Sequence, residues 1–294
     1  MAVAPIQTVV HDSELGNWEL ITRAPAGPLR PYVLRYEGYL EYSAVPVRRR
    51  ELPFPGAVLI ISFTNPYRIS TPEARPGAAV LTSFLAGMHD TYVLSESIGA
   101  GYGMQVNFTP IGAHLFLGRP MNEFTNVSVD LTDIFGPDAR RLAEQLRDVG
   151  SWESRFEVLD SLFMRRFAAS PEPSAAVVHV WERLRTSGGN AEVASLAAEV
   201  GWSRKHLAAR FREEVGLPPK GVARVLRFDR AVSMLKDPAR TCLADVSAAC
   251  GYFDQPHFIH EFRALGGSTP GDFRRGNLAD GTGLLEGVVN PAKG

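Results

Sequence analysis

Cysteine is almost absent from the sequence, which contains only Cys242 and Cys250 in 294 residues. Two cysteines cannot form a disulfide framework, and we expect both to be small buried side chains rather than a bridge or a metal pair. A hydrophobic run of the ~18 residues that a membrane span needs is also missing. The first residues include neither the basic nor the apolar segment of a secretion signal. We therefore expect a soluble cytoplasmic protein that contacts no membrane.

A strong charge of either sign is lacking as well. The net charge is −1 at pH 7, which neither requires nor excludes a polyanionic partner. Residues 190–275 hold 13 Lys or Arg and 10 Asp or Glu, so their balance is slightly basic. The histidines within residues 1–170 are His11, His89 and His114, and these are too scattered to provide the clustered ligands of a catalytic metal. We expect no metal, no cofactor and no catalytic residue.

Short apolar runs separated by proline and glycine occur in residues 30–110. Their length and the turn signals between them predict strands of an antiparallel sheet or a small barrel. The runs are residues 57–63, 78–87, 91–96 and 102–108, and the glycines of residues 99–103 predict a hairpin turn. Phe, Tyr and Met in these strands would suit an apolar ligand, but an ordinary packed core explains the same residues and is the interpretation we favour.

Two helices are predicted after residue 130. The first starts at Pro137, because proline is favoured at the first helical position, and the second starts after Ser151, a suitable N-cap. An apolar stripe repeats every three or four residues along the second helix, and it consists of Trp152, Phe156, Leu159, Phe163 and Phe167. We favour packing of the stripe on the chain's own sheet over a homodimer seam across residues 151–168, and nothing in the sequence forbids both.

A proline-rich segment divides the chain. Pro171 and Pro173 cannot lie inside a helix, so residues 170–174 are predicted to be a linker. Helical periodicity then continues almost to residue 275, and the glycine-rich end of the sequence shows none. The predicted class is α+β, with a β-rich domain and two C-terminal helices over 1–170, an all-α domain over 174–276 and a flexible tail over 277–294.

An internal repeat spans the all-α region. Residues 193–202, VASLAAEVGW, match residues 243–252, LADVSAACGY, at an offset of 50, and after one inserted residue the match continues at an offset of 51. The matched glycines, Gly201 and Gly251, can adopt the positive φ of a tight turn. Each copy is therefore predicted to be a short helix, a turn and a second helix, which is a helix-turn-helix unit.

A helix predicted over residues 218–238 connects the two copies. Its ~18 helical residues, at 1.5 Å each, span on the order of 27 Å. Together with the width of the flanking units, this length can place the two second helices about one turn of duplex DNA apart, ~34 Å. One chain could then read two successive major grooves.

The second helix of each copy has an apolar face and a polar face. Leu207 and Phe211 in one copy, and Phe258 and Phe262 in the other, lie four residues apart and are predicted to face the core. The polar faces carry Arg204, Lys205, Ala208 and Arg212 in the first copy, and Gln255, His257, His260 and Arg263 in the second. Arg and Lys can bind guanine or phosphate, and Gln can bind adenine. A solvated helix face is the alternative, but the matched phase of the two copies favours DNA.

The same residues resemble the AraC family of bacterial transcription regulators. The resemblance covers residues 190–275 and depends on LAAEVGWSRKHLAARFREEVG, RVLRFDRAVSML and LADVSAACGYFDQPHFIHEFRALGGSTPGDFRR. It implies a seven-helix DNA-binding domain with two helix-turn-helix units, joined to a ligand-sensing or dimerisation domain that is often a cupin-like barrel. The base-reading positions that it implies are Ser203, Arg204, Lys205, Ala208, Ala209, Arg212, Gln255, Pro256, His257, His260 and Arg263.

Three functions are compatible with these patterns. We favour a sequence-specific transcription regulator associated with the nucleoid, whose expected partners are double-stranded DNA, RNA polymerase, a small-molecule effector and a second copy of the chain. The alternative is an enzyme fused to a DNA-binding domain, but fusions that couple alkyl transfer to regulation need a reactive cysteine, and residues 1–170 have none. An architectural DNA binder is disfavoured, because the basic charge is modest and the side chains suit base contacts.

Overall fold

The computed structural model describes residues 5–13, 16–72, 78–237, 242–276 and 284–288. The first part of the chain is mainly antiparallel sheet, and the part from Leu131 to Gly276 is helical. This order confirms the predicted combination of a β-rich part followed by an all-α part. No helix within the described ranges is long and apolar enough to cross a membrane.

Ten strands form one sheet in which every described pairing is antiparallel. They are β1 (Gln7–Ser13), β2 (Gly16–Arg23), β3 (Val33–Glu51), β4 (Ala57–Ser62), β5 (Tyr67–Ser70), β6 (Ala79–Leu81), β7 (Phe84–Ala86), β8 (Val93–Phe108), β9 (Ser128–Asp130) and β10 (Leu284–Val288). The two longest strands, β3 and β8, pair with each other from one end to the other.

The predicted hairpin turn at residues 99–103 is wrong, because these glycines lie inside β8. Gly101 pairs with Glu41, and Gly103 pairs with Tyr39. A Cβ at Gly101 would lie 2.5 Å from Cγ of Glu41, and one at Gly103 would lie 2.5 Å from the backbone oxygen of Ile61. The glycines therefore let neighbouring strands approach closely rather than turn the chain.

The sheet is open, which corrects the implied closed barrel. Its order is β1-β2-β3-β8-β4-β7-β9, and the end strands β1 and β9 do not pair with each other in the described residues. On β1 the side chains of Val9 and Val10 are exposed. A register shift between Ser43 and Val47 interrupts the pairing of β3 with β8, and irregularities of this kind bend a strand. The sheet thus curves without closing.

The predicted loose tail contains a strand. Strand β10 pairs with β3 opposite residues 47–50. Because β2 pairs with β3 only as far as Tyr42, that part of the β3 edge is left for another strand to bind. The remaining residues of the predicted tail, 277–283 and 289–294, lie outside the described residues.

Eleven helices are present in the described residues. They are α1 (Pro110–Leu117), α2 (Leu131–Phe135), α3 (Pro137–Asp148), α4 (Trp152–Ala169), α5 (Ala175–Thr186), α6 (Val193–Glu199), α7 (Arg204–Val215), α8 (Pro219–Lys236), α9 (Leu243–Ala249), α10 (Gln255–Gly266) and α11 (Pro270–Gly276). Helices α3 and α4 confirm the two predicted after residue 130, whereas α1 and α2 were not predicted.

The aromatic stripe of α4 packs on the chain's own sheet, as predicted. Phe156, Leu159 and Phe163 are fully buried, and the Phe156 ring stacks on Tyr36 of β3 with centroids 5.8 Å apart. A Cβ at Gly38, the next position on the same face of β3, would lie 2.2 Å from the Trp152 ring. This burial removes the stripe as a surface for the alternative homodimer seam over residues 151–168.

The predicted linker lies between α4 and α5, but the parts on either side share one core. The chain is non-helical at residues 171–174. Met88, Ile111 and Leu115 of the β-rich part nevertheless belong to the apolar cluster of the all-α part. The domain boundary at residues 170–174 stays a prediction. The two parts on either side of it contribute side chains to one apolar cluster.

The internal repeat folds as two helix-turn-helix units of equal dimensions. Helices α6 and α9 have 7 residues each, and helices α7 and α10 have 12 each. The turn glycines, Gly201 and Gly251, have φ values of 68° and 77°. Connecting helix α8 has 18 residues, which agrees with the predicted length.

Only one of the two cysteines fits its prediction. Cys250 is buried and Cys242 is exposed, and neither forms a disulfide. Cys242 occupies the N-cap position of α9, before the helix begins, which accounts for its exposure.

The second unit supplies a matched pair of substitutions for the core assignment. Phe258 is fully buried between Tyr252 and Phe262, so Phe258→Ala should lower the free energy of unfolding by about 3–5 kcal/mol. Urea unfolding followed by circular dichroism measures this loss.

Phe253→Ala is the control, because the Phe253 side chain is 92% exposed five residues away. It should change the free energy of unfolding by less than ~0.5 kcal/mol. A stable Phe258→Ala protein, or equal losses for both variants, would contradict the assignment.

Candidate functional site

The first turn of α7 presents two basic side chains. Ser203 caps the helix by accepting a hydrogen bond from the backbone N–H of His206 at 3.2 Å, which fixes where the helix begins. Arg204 and Lys205 follow and are exposed. Neither side chain has a hydrogen bond or an ion pair within the described part of the chain. Both are therefore available to an external partner.

The rest of α7 separates core contacts from surface contacts as predicted. Leu207 and Phe211 are fully buried. Ala208 is half-buried, and Ala209 and Arg212 are exposed. Ala208 and Ala209 leave room for a partner to approach the middle of this face closely. The long side chains lie at its two ends, with Arg204 and Lys205 at one and Arg212 at the other.

Helix α10 presents the second predicted set. Asp254 caps it by accepting a hydrogen bond from the backbone N–H of His257 at 2.7 Å. Pro256 lies in the first turn, where its missing N–H breaks no intrahelical bond. The predicted positions are all exposed, and they are Gln255, Pro256, His257, His260 and Arg263.

An ionic cluster around Glu261 ties α10 to α8. The Glu261 carboxylate accepts hydrogen bonds from Arg224 at 3.1 Å and Arg227 at 3.3 Å. Nε2 of His257 lies 3.7 Å from the same carboxylate, so this imidazole is less free than that of His260. The sequence contains no signal for this cluster, because the arginines are more than 30 residues from Glu261.

Phe253 is an exposed aromatic side chain at the start of the second reading helix. It is 92% exposed and directly precedes the cap residue Asp254. The sequence contains a usable signal for it, because Phe253 is the residue at which the offset between the two repeat copies changes from 50 to 51. No site role was predicted for it.

The β-rich part holds the C-terminal ends of both reading helices at equivalent positions. Oγ1 of Thr125 donates a hydrogen bond to the backbone oxygen of Gly216 at 2.8 Å. Nη1 of Arg50 donates to the backbone oxygen of Gly266 at 3.1 Å. A Cβ at Gly267 would lie 2.4 Å from the Tyr92 ring. Since Gly216 and Gly267 are matched in the repeat, the β-rich part contacts the same end of each unit, through Thr125 in one and through Arg50 and Tyr92 in the other.

A cavity of about 540 Å³ lies between the concave side of the sheet and α8. One wall is the face of β3 opposite Tyr36, and it is polar, with Arg35, Glu37, Tyr39 and Glu41 in alternation. Period-two alternation in the sequence could have revealed this face. The predicted packed core lies on the opposite face, where Tyr36, Met104 and Phe108 are fully buried, and the polar wall on this face was not predicted.

Side-chain hydrogen bonds order the polar wall. Gln105 donates to Asn107 at 3.0 Å, and Asn107 donates to Glu37 at 3.2 Å. Arg35 forms an ion pair with Glu37. Burial dominates nonetheless and raises the pKa of the Glu37 carboxyl.

His89 is the most enclosed imidazole of the cavity. Its side chain is 6% exposed, and Nδ1 lies 2.7 Å from the backbone oxygen of Gly87. Because a carbonyl can only accept, Nδ1 carries the proton. Burial lowers the pKa of His89, which keeps it neutral. Nε2 is therefore an acceptor, and it has no partner within the described residues.

Two regions of the chain match known families. Residues 196–276 match the family described as a helix-turn-helix domain. Residues 21–130 match a family described as a domain of unknown function, DUF6597. The first region contains both reading helices, and the second contains most of the cavity wall.

Two curated regulators resemble parts of the chain. The F1 operon positive regulatory protein of Yersinia pestis is 36% identical over 74 residues, which cover 25% of this chain and 24% of that protein. The HTH-type transcriptional activator RhaR of Pectobacterium atrosepticum is 30% identical over 125 residues, which cover 39% and 42%. The chain thus aligns with less than half the length of either relative.

Solved structures that match the chain include ToxT from Vibrio cholerae, at 11% identity and a TM-score of 0.47 over 86% of this chain and 98% of that chain. The C-terminal domain of AraT, a response regulator from Geobacillus stearothermophilus, matches at 18% identity and a TM-score of 0.34, over 41% and 96%. The family match, the two equal units and the motifs of residues 190–275 together identify the region: the chain carries a helix-turn-helix domain of the AraC family in residues 196–276.

Proposed function

We propose that this protein is a sequence-specific, DNA-binding transcription regulator of the AraC type. In this proposal α7 and α10 enter successive major grooves near a promoter. The observation that carries it is the duplicated unit, in which each reading helix buries one face and exposes an opposite face with side chains free to bind. If these faces only contacted water, the two reading helices would not have to expose their polar side chains at matching positions.

The proposed base and backbone contacts follow the chemistry of each position. Arg204 and Lys205 suit guanine O6 and N7, and Gln255 suits the N6 and N7 atoms of adenine. The Asp254 carboxylate repels phosphate at the start of α10, whereas the Ser203 cap of α7 is neutral. The full proposed interface is Ser203, Arg204, Lys205, Ala208, Ala209, Arg212, Gln255, Pro256, His257, His260 and Arg263.

Phe253 adds an apolar contact to this interface. A 92% exposed phenylalanine contributes nothing to the core. The 5-methyl group of thymine is the apolar feature that the major groove offers, and phenylalanine can contact it. We place Phe253 against such a methyl group next to the base read by Gln255.

The β-rich part, with its open sheet, is proposed to be a sensor. It surrounds a cavity, and it contacts the end of each reading helix. An occupant of the cavity could therefore change the relative position of the two units. Both curated relatives are named as positive regulators or activators, so we propose activation, with RNA polymerase as a partner beside the promoter.

We propose that two copies of the chain associate through the sheet rather than through the aromatic stripe of α4. Val10, Tyr42 and Ile98 are exposed apolar side chains on β1, β3 and β8, and they are a more suitable surface for a second copy than a stripe that is already buried. An enzyme fused to the DNA-binding domain remains the alternative function. It is disfavoured because residues 1–170 contain no cysteine for alkyl transfer.

Arg204→Ala and Lys205→Ala test base reading by α7. On a duplex selected from random DNA by the full-length protein, each should weaken binding by about 1–3 kcal/mol, because each removes a base contact. Fluorescence anisotropy at near-physiological salt measures the loss, and a scrambled duplex should show a smaller one.

Arg140→Ala is the matched control, since it removes one exposed positive charge from α3. It should leave both affinities nearly unchanged. Equal losses on selected and scrambled DNA for Arg204→Ala and Lys205→Ala would show phosphate contacts instead.

Phe253→Ala tests the thymine contact. It should weaken binding to the selected duplex several-fold, because an apolar contact is lost. Replacing the contacted thymine with uracil removes the same methyl group and should have a similar effect. If the two effects add fully in the combined experiment, Phe253 does not contact that methyl group.

A further inference from the structure

The cavity between the sheet and α8 has the size and construction of a ligand site. Its volume of about 540 Å³ falls within the range of small-molecule pockets, roughly 300–1,000 Å³. Polar side chains on a strand face that is turned inward are costly to bury unless they are paired. Here the face of β3 opposite the apolar core is polar over four alternate positions, from Arg35 to Glu41. A packing defect would be lined by apolar side chains.

The electrostatics of the lining favour a cation. Glu19 pairs with Leu40 and therefore lies on the opposite face of the sheet. Among the described residues, the carboxylates that face the cavity are Glu37, Glu41, Glu51 and Asp229, and the cations are Arg35, Arg49 and Lys236. Carboxylates thus outnumber cations by one. An anionic occupant would face this excess negative charge, whereas a cationic occupant would be stabilised by it.

Two of the three cations are already paired with carboxylates of the same wall. Arg35 forms an ion pair with Glu37, and Arg49 forms one with Glu41 at 3.0 Å. Asp229 of α8 has no hydrogen bond within the described residues. Burial raises the pKa of the Asp229 carboxyl, and the positive charges of Lys236 and Arg35 only partly oppose this shift. A positive charge placed beside this carboxylate would reduce the cost of keeping it ionised.

A buried nitrogen of the lining, Nε2 of His89, also needs a hydrogen-bond donor. Nε2 of His89 is a neutral acceptor without a partner in the described part of the chain, and its side chain is more than nine-tenths buried. Aromatic rings of Tyr39, Tyr67 and Phe84 lie in the same lining, and such rings attract cations. An N–H donor satisfies the imidazole, the carboxylates and the rings at the same time.

We propose that this cavity binds a small organic amine in its protonated form, held between Asp229 of α8, the carboxylates of β3 and His89 of the segment between β7 and β8. Nε of Arg49, which has no partner in the described residues, can donate to a hydroxyl group on the same molecule. Because α8 connects both helix-turn-helix units, the amine bridges the sheet to the DNA-binding part. Its role as an effector rests on the proposed function, whereas its binding does not.

The test uses the full-length protein and two probe sets that differ only in charge. The first set is glucosamine, glucose and glucuronate, and the second is hexamethylenediamine, hexanediol and adipate. Thermal unfolding is measured against probe concentration. At least one amine should raise the Tm by about 2 °C or more at saturation, while its neutral and acidic counterparts should not. A stronger effect of a neutral or acidic counterpart, or no effect of either amine, overturns the proposal.

Asp229→Asn locates the bound amine. It should weaken amine binding about tenfold by titration calorimetry, because it removes the carboxylate that pairs with the ammonium. Asp148→Asn, on the exposed surface of α3, is the matched control and should have no effect. If Asp229→Asn does not fold, Glu37→Gln on the cavity face of β3 provides the same comparison from the sheet side. Undiminished amine binding in the folded variant overturns the proposed site.

Binding to the selected duplex is measured separately, without any probe. Loss of the amine effect with intact DNA binding contradicts the ligand assignment alone. An amine effect in a protein that does not prefer the selected duplex supports the ligand assignment and contradicts the proposed function.

Discussion

The burial of one face of each reading helix in a single apolar core is the constraint on which the rest of the structure depends. Phe211 of α7 and Phe258 and Phe262 of α10 belong to one cluster with the buried face of α8. Rotation of either helix would expose phenylalanine and would bury polar side chains, at a cost of several kcal/mol. The core therefore decides which residues face outward. Hydrogen bonding and charge then act on a geometry that is already set.

In the sheet, burial of an apolar face also decides what the other face presents, and β3 shows this most clearly. Its Tyr36 face packs on α4, and its opposite face lines the cavity with charged and polar side chains. The segment near the end of β3 also alternates, because Arg49 and Glu51 line the cavity while Arg50 binds Gly266 at the end of α10. Adjacent residues of one strand thus contact the interior and the DNA-binding part. This arrangement provides a short physical route between an occupant of the cavity and the second reading helix.

Sequence reasoning was most successful where a pattern is local and repeated. The turn glycines and the length of α8 follow from spacing alone. Contacts between residues far apart in the sequence could not be predicted from local patterns. The continuous β8 depends on contacts of its glycines with Glu41 and Ile61, and the cluster around Glu261 joins side chains more than 30 residues apart. The Phe, Tyr and Met residues of the strands indicate only a packed core. The sign of the cavity in the sequence is the alternation of charged residues in β3.

The proposed function requires α7 and α10 to read two successive major grooves at a defined spacing. The most direct measurement is the affinity of the full-length protein for the selected duplex after insertion of base pairs between its two half-sites. Inserting half a turn, about 5 base pairs, should abolish the preference over scrambled DNA, because the second groove then faces away from α10. Unchanged affinity after that insertion would contradict the account, since it would mean that a single reading helix, or a flexible pair, is responsible for recognition.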